Sequence, residues 1–137
     1  MSEKPKKDKR IAKLEELYKK ANELDEEFPK QLIDKLSLYG QILEIIGGLW
    51  ASAHSDWKMA EAKRRETLAT VYTYDPEGSN KDREMKAEMA AAEWRRKEAQ
   101  YEGEAMRWKA AYQSVLEQIQ ILKKRYEHMQ NVANGGI

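Results

Sequence analysis

Apolar side chains recur at intervals of three and four residues along most of this chain. No run shows the sustained two-residue alternation that marks a strand. The first segment, about residues 8–28, has the single apolar stripe of an amphipathic helix. The pattern therefore predicts an all-α protein. The stripe consists of Ile11, Leu14, Leu17, Tyr18, Ala21 and Leu24.

Two longer segments, about residues 29–72 and 81–131, each carry a seven-residue apolar repeat. Such a repeat, sustained over several heptads, predicts a coiled-coil seam. Pro29 suits the first turn of the second helix. One position of the repeat reads Leu36, Leu43, Trp50, Trp57 and Arg64 in the earlier segment, and Trp94, Tyr101, Trp108, Val115 and Leu122 in the later one.

Residues 75–80, DPEGSN, are the strong internal turn signal. Because the connection over residues 73–80 is short, the two long helices are expected to fold back as an antiparallel hairpin. Folding about Ser79 brings Trp50 level with Trp108 and Arg64 level with Trp94. Asn80 is the candidate N-cap of the last helix.

The predicted architecture is a long antiparallel helical hairpin, a coiled coil, with the shorter N-terminal helix at its base. Residues 11–131 form one domain, residues 1–10 a basic flexible arm, and residues 132–137 a flexible tail. Glycine costs about 1 kcal/mol inside a helix. Three of them within one segment, Gly40, Gly47 and Gly48, therefore predict close approach between helices.

The base of the hairpin is too apolar for a two-helix seam. Apolar side chains there lie outside the seam positions, and the first helix covers only one side of them. A large exposed apolar patch usually marks an interface. The sequence therefore predicts a homo-oligomer that is joined through Leu38, Ile42, Ile45 and Leu49.

Composition limits the classes of function. The 137 residues include no cysteine, which excludes disulfides and thiolate metal sites. With 25 Lys and Arg against 24 Asp and Glu, the net charge gives no general attraction to nucleic acid or membrane. No stretch approaches the roughly 18 apolar residues of a membrane span. No signal-peptide pattern is present, so a cytoplasmic location is expected.

Enzyme motifs are absent: there is no phosphate loop, nucleophile elbow or HExxH sequence. A carboxylate metal site in a helical bundle needs Glu-x-x-His pairs. Neither histidine has one, because Ala51 precedes His54 by three residues and Arg125 precedes His128. The sequence therefore predicts no enzyme, no catalytic residue, no metal site and no cofactor.

Basic residues fall in two runs that the hairpin brings to one height, near several aromatic side chains. Cations beside aromatic rings are what single-stranded nucleic acid needs, since the charges hold phosphates and the rings stack on bases. The alternative is that Glu61, Glu66, Glu93 and Glu98 neutralise this band and that Arg64 stacks on Trp94. The candidate DNA-binding residues are Lys58, Lys63, Arg64, Arg65, Tyr72, Tyr74, Arg95, Arg96 and Lys97.

The order of these motifs resembles the UvsY-like recombination mediators of T-even phages and related small phage recombination proteins. The resemblance covers roughly residues 38–125. It depends on AEAKRR at residues 60–65, YTY at 72–74 before a glycine-containing turn, and REMKAE at 83–88. A long helix of the type EWRRKEAQYEGEAMRW and a basic end, KKR at 123–125, complete it.

The resemblance implies a ring-like homo-oligomer that binds single-stranded DNA and loosens the single-strand binding protein. It also implies that the protein loads a recombinase, without nucleotide hydrolysis, in the cytoplasm of the host cell. In the mediators, basic residues before the turn contact DNA. The matching positions are Lys63, Arg64 and Arg65.

One alternative uses the same fold without nucleic acid. It is a coiled-coil structural or adaptor protein of a phage, or an inhibitor of a host defence. Long charged helices serve this reading equally well, and an electrophoretic shift with a single-stranded oligonucleotide separates the two.

Overall fold

The computed structural model of the chain describes residues 8–74 and 78–135, without the side chain of Tyr74. Within these ranges it has three helices and no strand: α1 Lys9–Asn22, α2 Pro29–Tyr74 and α3 Asn80–Ala133. The predicted all-α class is confirmed. Most of the predicted arm (1–7), the centre of the predicted turn (75–77) and the last two residues of the predicted tail lie outside the described residues.

Helix α1 is shorter than predicted, ending at Asn22 and not near residue 28. Asp8 caps its start, accepting a hydrogen bond at 2.8 Å from the Arg10 backbone N–H. After the helix, Asp25 Oδ1 accepts from the Glu27 N–H, and Gln31 Oε1 accepts from the Asp25 N–H. These side chains offer the backbone partners outside a helix, so the segment becomes a loop.

The ends of the long helices fall within two residues of their predicted positions. Ser79, rather than Asn80, caps α3, because its Oγ accepts the Asp82 backbone N–H at 3.2 Å. Gly78 just before it has a φ of 101°, a conformation that glycine adopts without steric cost. Helix α3 continues to Ala133, so the predicted flexible tail is helical over residues 132 and 133.

Packing divides the chain into two compact units. The first is Met1–Leu49 together with Lys109–Ile137, and the second is Trp50–Trp108. Contacts between α2 and α3 occur within each unit, while the antiparallel hairpin over the whole chain stays a prediction.

The first unit has a core of large aliphatic side chains contributed by all three helices. Gly47 lets α3 approach, since a Cβ on it would lie 3.4 Å from the Tyr112 ring. Gly40 has nothing within 4 Å of such a Cβ, so the predicted close approach is wrong there. The largest fully buried side chains of the unit are Leu17, Leu32, Ile42, Ile46 and Leu122.

One cluster of charges ties the α1–α2 loop to both long helices in the first unit. Glu26 accepts Lys35 Nζ at 3.0 Å and also pairs with Arg125. The Lys35 side chain is only 10% exposed. Removing the carboxylate would leave a buried cation without compensation, which is costly. Glu26 therefore fixes the position of the loop.

The second unit has a core of small side chains that α2 and α3 contribute. Alanine at a helix contact allows the two backbones to approach closely. It also buries less apolar area per residue than leucine does. The buried alanines are Ala53, Ala60, Ala87, Ala91 and Ala105.

The predicted oligomer interface is wrong for two of its four residues. Ile42 is 0% exposed and Leu49 is 5% exposed, both inside the first unit, so neither can offer apolar surface to another chain. Leu38 and Ile45 remain partly exposed. The sequence overestimated the free surface because the first helix and α3 together cover more of α2 than one side.

Replacing Ile42 by alanine should destabilise the chain by about 2–5 kcal/mol, since the change removes buried methyl groups and leaves a cavity. The matched control is Ile121→Ala, where the side chain is 56% exposed and a loss within about 0.5 kcal/mol is expected. Urea unfolding followed by circular dichroism measures both. Equal losses would contradict the burial of Ile42.

Candidate functional site

The basic residues of α2 pair with carboxylates one helical turn away. Glu61 accepts Lys58 Nζ at 3.3 Å and Arg65 Nη2 at 2.9 Å. Lys63 Nζ lies 3.6 Å from Glu66. The side chains of these three cations are about half exposed or more, and their partners lie on the same helix. Their role as DNA contacts stays a prediction.

The hydrogen bond from Lys58, with its positive charge, lowers the pKa of Glu61 below the ordinary value of a glutamate, and the charge of Arg65 acts in the same direction. Glu61 is therefore held ionised between two cations. A carboxylate in this position competes with any phosphate for Lys58 and Arg65.

The basic residues of α3 differ among themselves. Arg95 pairs with Glu88, and Lys97 Nζ lies 3.2 Å from Glu93. Arg96 is exposed and has no ion-pair partner in the part of the chain that the structure describes. Its surroundings are therefore unlike those of the other predicted contacts.

Arg64 has a structural position. Its Nε donates to Glu98 Oε2 at 2.6 Å, joining α2 to α3 within the second unit, and the side chains are only 22% and 19% exposed. The ion-pair partner of Arg64 is thus Glu98, one helical turn along α3 from Trp94, the residue with which the sequence aligned it. A guanidinium engaged in this way is poorly placed to hold a phosphate.

Two tryptophans carry a lysine over one ring face. Lys58 Nζ lies 4.3 Å from the Trp57 ring centroid, and Lys97 Nζ lies 4.6 Å from that of Trp94. Both rings are partly exposed. Sequence reasoning named these residues but missed their pairing, although the spacing of three residues between Trp94 and Lys97 was a usable signal.

Tyr72 is a poorer platform than predicted. Arg83 lies over its ring, 5.5 Å from the centroid, and donates to the Tyr72 carbonyl oxygen at 2.7 Å. One face of the ring is therefore occupied from within the chain, although 40% of the residue stays exposed. The predicted contact at Tyr74 falls on a side chain outside the described residues.

All four glutamates that the sequence offered as neutralising partners, Glu61, Glu66, Glu93 and Glu98, form ion pairs. Between residues 50 and 108 the chain has 11 Lys and Arg against 12 Asp and Glu. The predicted basic band is thus a mixed charged surface, and any attraction for DNA must come from local groups.

Other functional features are few. In the described ranges, no cluster of three or more histidines and carboxylates is arranged to hold a metal ion. None of the helices described has an apolar run long enough to span a membrane. Comparison of the chain with protein-family models, with curated proteins and with solved structures finds no match.

Replacing Glu98 by glutamine should destabilise the chain by about 1–3 kcal/mol, because it weakens a partly buried charge-assisted hydrogen bond to Arg64. The control Glu66→Gln removes the exposed pair with Lys63, where a loss of about 0–1 kcal/mol is expected. Chemical unfolding measures both variants. If Glu98→Gln cost no more than the control, Arg64 would be free for another partner.

Proposed function

We propose that this chain is a non-enzymatic, single-stranded-DNA-binding recombination mediator, the function that the resemblance of its motifs implies. The observation that supports this most is the pair of partly exposed tryptophans, Trp57 and Trp94, each with a lysine over its ring. Aromatic rings beside cations are the elements with which proteins bind single strands irrespective of sequence.

In this proposal Lys58 and Lys97 leave their glutamate partners and bind phosphates, while bases stack on the tryptophan rings. The exchange is inexpensive, because an exposed ion pair contributes only about 0–1 kcal/mol. Stacking contributes about 1–3 kcal/mol per base. Arg65 and Lys63 add long-range attraction, and Arg64 keeps its structural pair with Glu98.

Each copy of the chain offers few contacts, so one copy alone would bind DNA weakly. A homo-oligomer, ring-like as the resemblance implies, would add these contacts through avidity. Leu38 and Ile45 are the remaining candidates for its apolar interface at the base. The partners would be a recombinase and a single-strand binding protein in the cytoplasm of a phage-infected cell.

Replacing Lys97 by alanine should weaken oligonucleotide binding and reduce the slope of log affinity against log salt by about 1, as the loss of one phosphate contact does. The control is Lys109→Ala, an exposed lysine of the same helix that should leave affinity and slope unchanged. Fluorescence anisotropy of a labelled single strand over a range of salt concentrations measures both. Affinity that is independent of salt would refute phosphate binding.

The ionisation of Glu61 gives a second readout. Its pKa is lowered chiefly by Lys58; when a phosphate takes over Lys58, the carboxylate loses that hydrogen bond and gains a negative neighbour. Both changes raise the pKa of Glu61, which a nuclear magnetic resonance titration with and without oligonucleotide measures. An unchanged pKa would show that Lys58 is not a DNA contact.

The balanced charge of residues 50–108 and the ion pairs of the glutamates favour a second candidate. This is a coiled-coil structural or adaptor protein, or an inhibitor, that binds no nucleic acid. An electrophoretic shift assay at low salt decides between the two, because this candidate predicts no shift even where electrostatic attraction is strongest.

A further inference from the structure

Helix α3 carries an apolar stripe on the side turned away from its buried alanines. Its members follow a spacing of four and three residues, and it is called the outer stripe below. In a paired helix these outward positions are normally charged or polar. The outer stripe consists of Met85, Met89, Ala92, Arg96, Ala99, Gly103 and Met106.

The outer stripe is exposed and is confined to the first part of α3. Met85, Met89 and Met106 are 57%, 76% and 49% exposed. Open grooves lie beside Met85 and Met89, lined by charged side chains such as Lys81 and Glu84. Further along α3 the same spacing gives one more apolar residue, Ala110, and then only polar residues, namely Gln113, Glu117, Gln120 and Lys124.

We propose that the outer stripe binds the outer stripe of a second copy of this chain, with the two α3 helices antiparallel. Methionines are flexible apolar groups suited to filling a helix–helix contact. The alanines and the glycine let the backbones approach. Exposed apolar surface of this kind usually marks an interface, and a self-complementary two-fold contact is the commonest form of association.

The charges of Arg96 and Glu102 indicate that the partner of the stripe is a second copy of this chain. Arg96 is the one polar member of the stripe, and Glu102 flanks it. Each is without an ion-pair partner in the described chain. In an antiparallel pair with Met89 level with Met106, Arg96 lies opposite Ala99. Glu102 of the second copy is then one helical turn away.

Two parallel α3 helices in register would not bring Glu102 of the second copy within one helical turn of Arg96. They would place Arg96 directly against Arg96, and Glu102 about 9 Å further along the axis. Size agrees with the antiparallel arrangement, because the long arginine faces a small alanine and Ala92 faces Gly103. The DNA contacts proposed above use Lys58, Lys97 and their tryptophans, so the two proposals can fail independently.

Light scattering of the full chain over a range of concentrations tests this interface. Ala99→Glu places a carboxylate at the centre of the stripe and should raise the dimer dissociation constant at least tenfold. Ala90→Glu is the matched control, since Ala90 is exposed on another side of α3, and it should leave the constant unchanged. Circular dichroism checks that both variants stay helical.

Cross-linking tests the direction of the helices. The chain has no cysteine, so single cysteines placed by Met89→Cys and Met106→Cys are the only thiols present. A mixture of the two variants treated with a short bismaleimide should give a link between positions 89 and 106. Met106→Cys alone should give none, because its two copies would lie about 25 Å apart.

Three results would overturn the proposal. The first is a monomer at every concentration, which would leave a helix of another protein as the occupant. The second is an oligomer whose dissociation constant does not change in Ala99→Glu. The third is a link between two copies of Met106→Cys without any link from 89 to 106.

Discussion

Helices of 46 and 54 residues need apolar contact along their whole length, because an isolated helix of a mixed sequence is marginal in water. The chain meets this constraint in two ways. In the first unit, Leu and Ile side chains from three helices form the core, and Glu26 holds the loop that positions α1. In the second unit, the contact is made by alanines, which bring two backbones close but bury little area. There the hydrogen bond between Arg64 and Glu98 fixes the register that alanines alone would leave weakly specified.

The same constraint governs the charges. A helix that packs along one side only must keep most of its remaining surface polar, and outside the outer stripe the chain does so with glutamates and lysines or arginines at helical spacing. Many of these residues pair with one another at that spacing, as Glu61 does with Lys58 and Arg65. A count of cations therefore overstates the attraction for DNA. The relevant quantity is the cost of exchanging a carboxylate for a phosphate, which is small for Lys97 at the surface and large for Arg64 between the helices.

The sequence predicted the helices well because apolar spacing and turn residues determine them locally. It misplaced the end of α1 because hydrogen bonds of Asp25 and Gln31 side chains to the backbone compete with the helix, and periodicity does not register them. Ile42 and Leu49 were assigned to an oligomer interface because spacing cannot tell how far a third helix covers α2. The candidate site shows the same limit. The sequence aligned Arg64 with Trp94, yet the arginine side chain pairs with Glu98, one turn along α3, and this pair makes Arg64 a structural cation rather than a surface one.

The outer stripe can be read from the sequence as a second apolar repeat on α3. The heptad repeat that predicts the contact with α2 does not include its residues. With 3.6 residues per turn, the buried alanines, Lys97 and the outer stripe lie roughly a third of a turn apart around α3. Each face therefore has its own surroundings: apolar partners within the chain, an ion pair in water, and exposed methionine. Substitution on one face leaves the others intact, since the helix itself holds them apart. One helix thus carries the fold, the proposed DNA contact and the proposed self-association on separate faces. Arg96 belongs to the outer stripe because its neighbours at helical spacing are apolar.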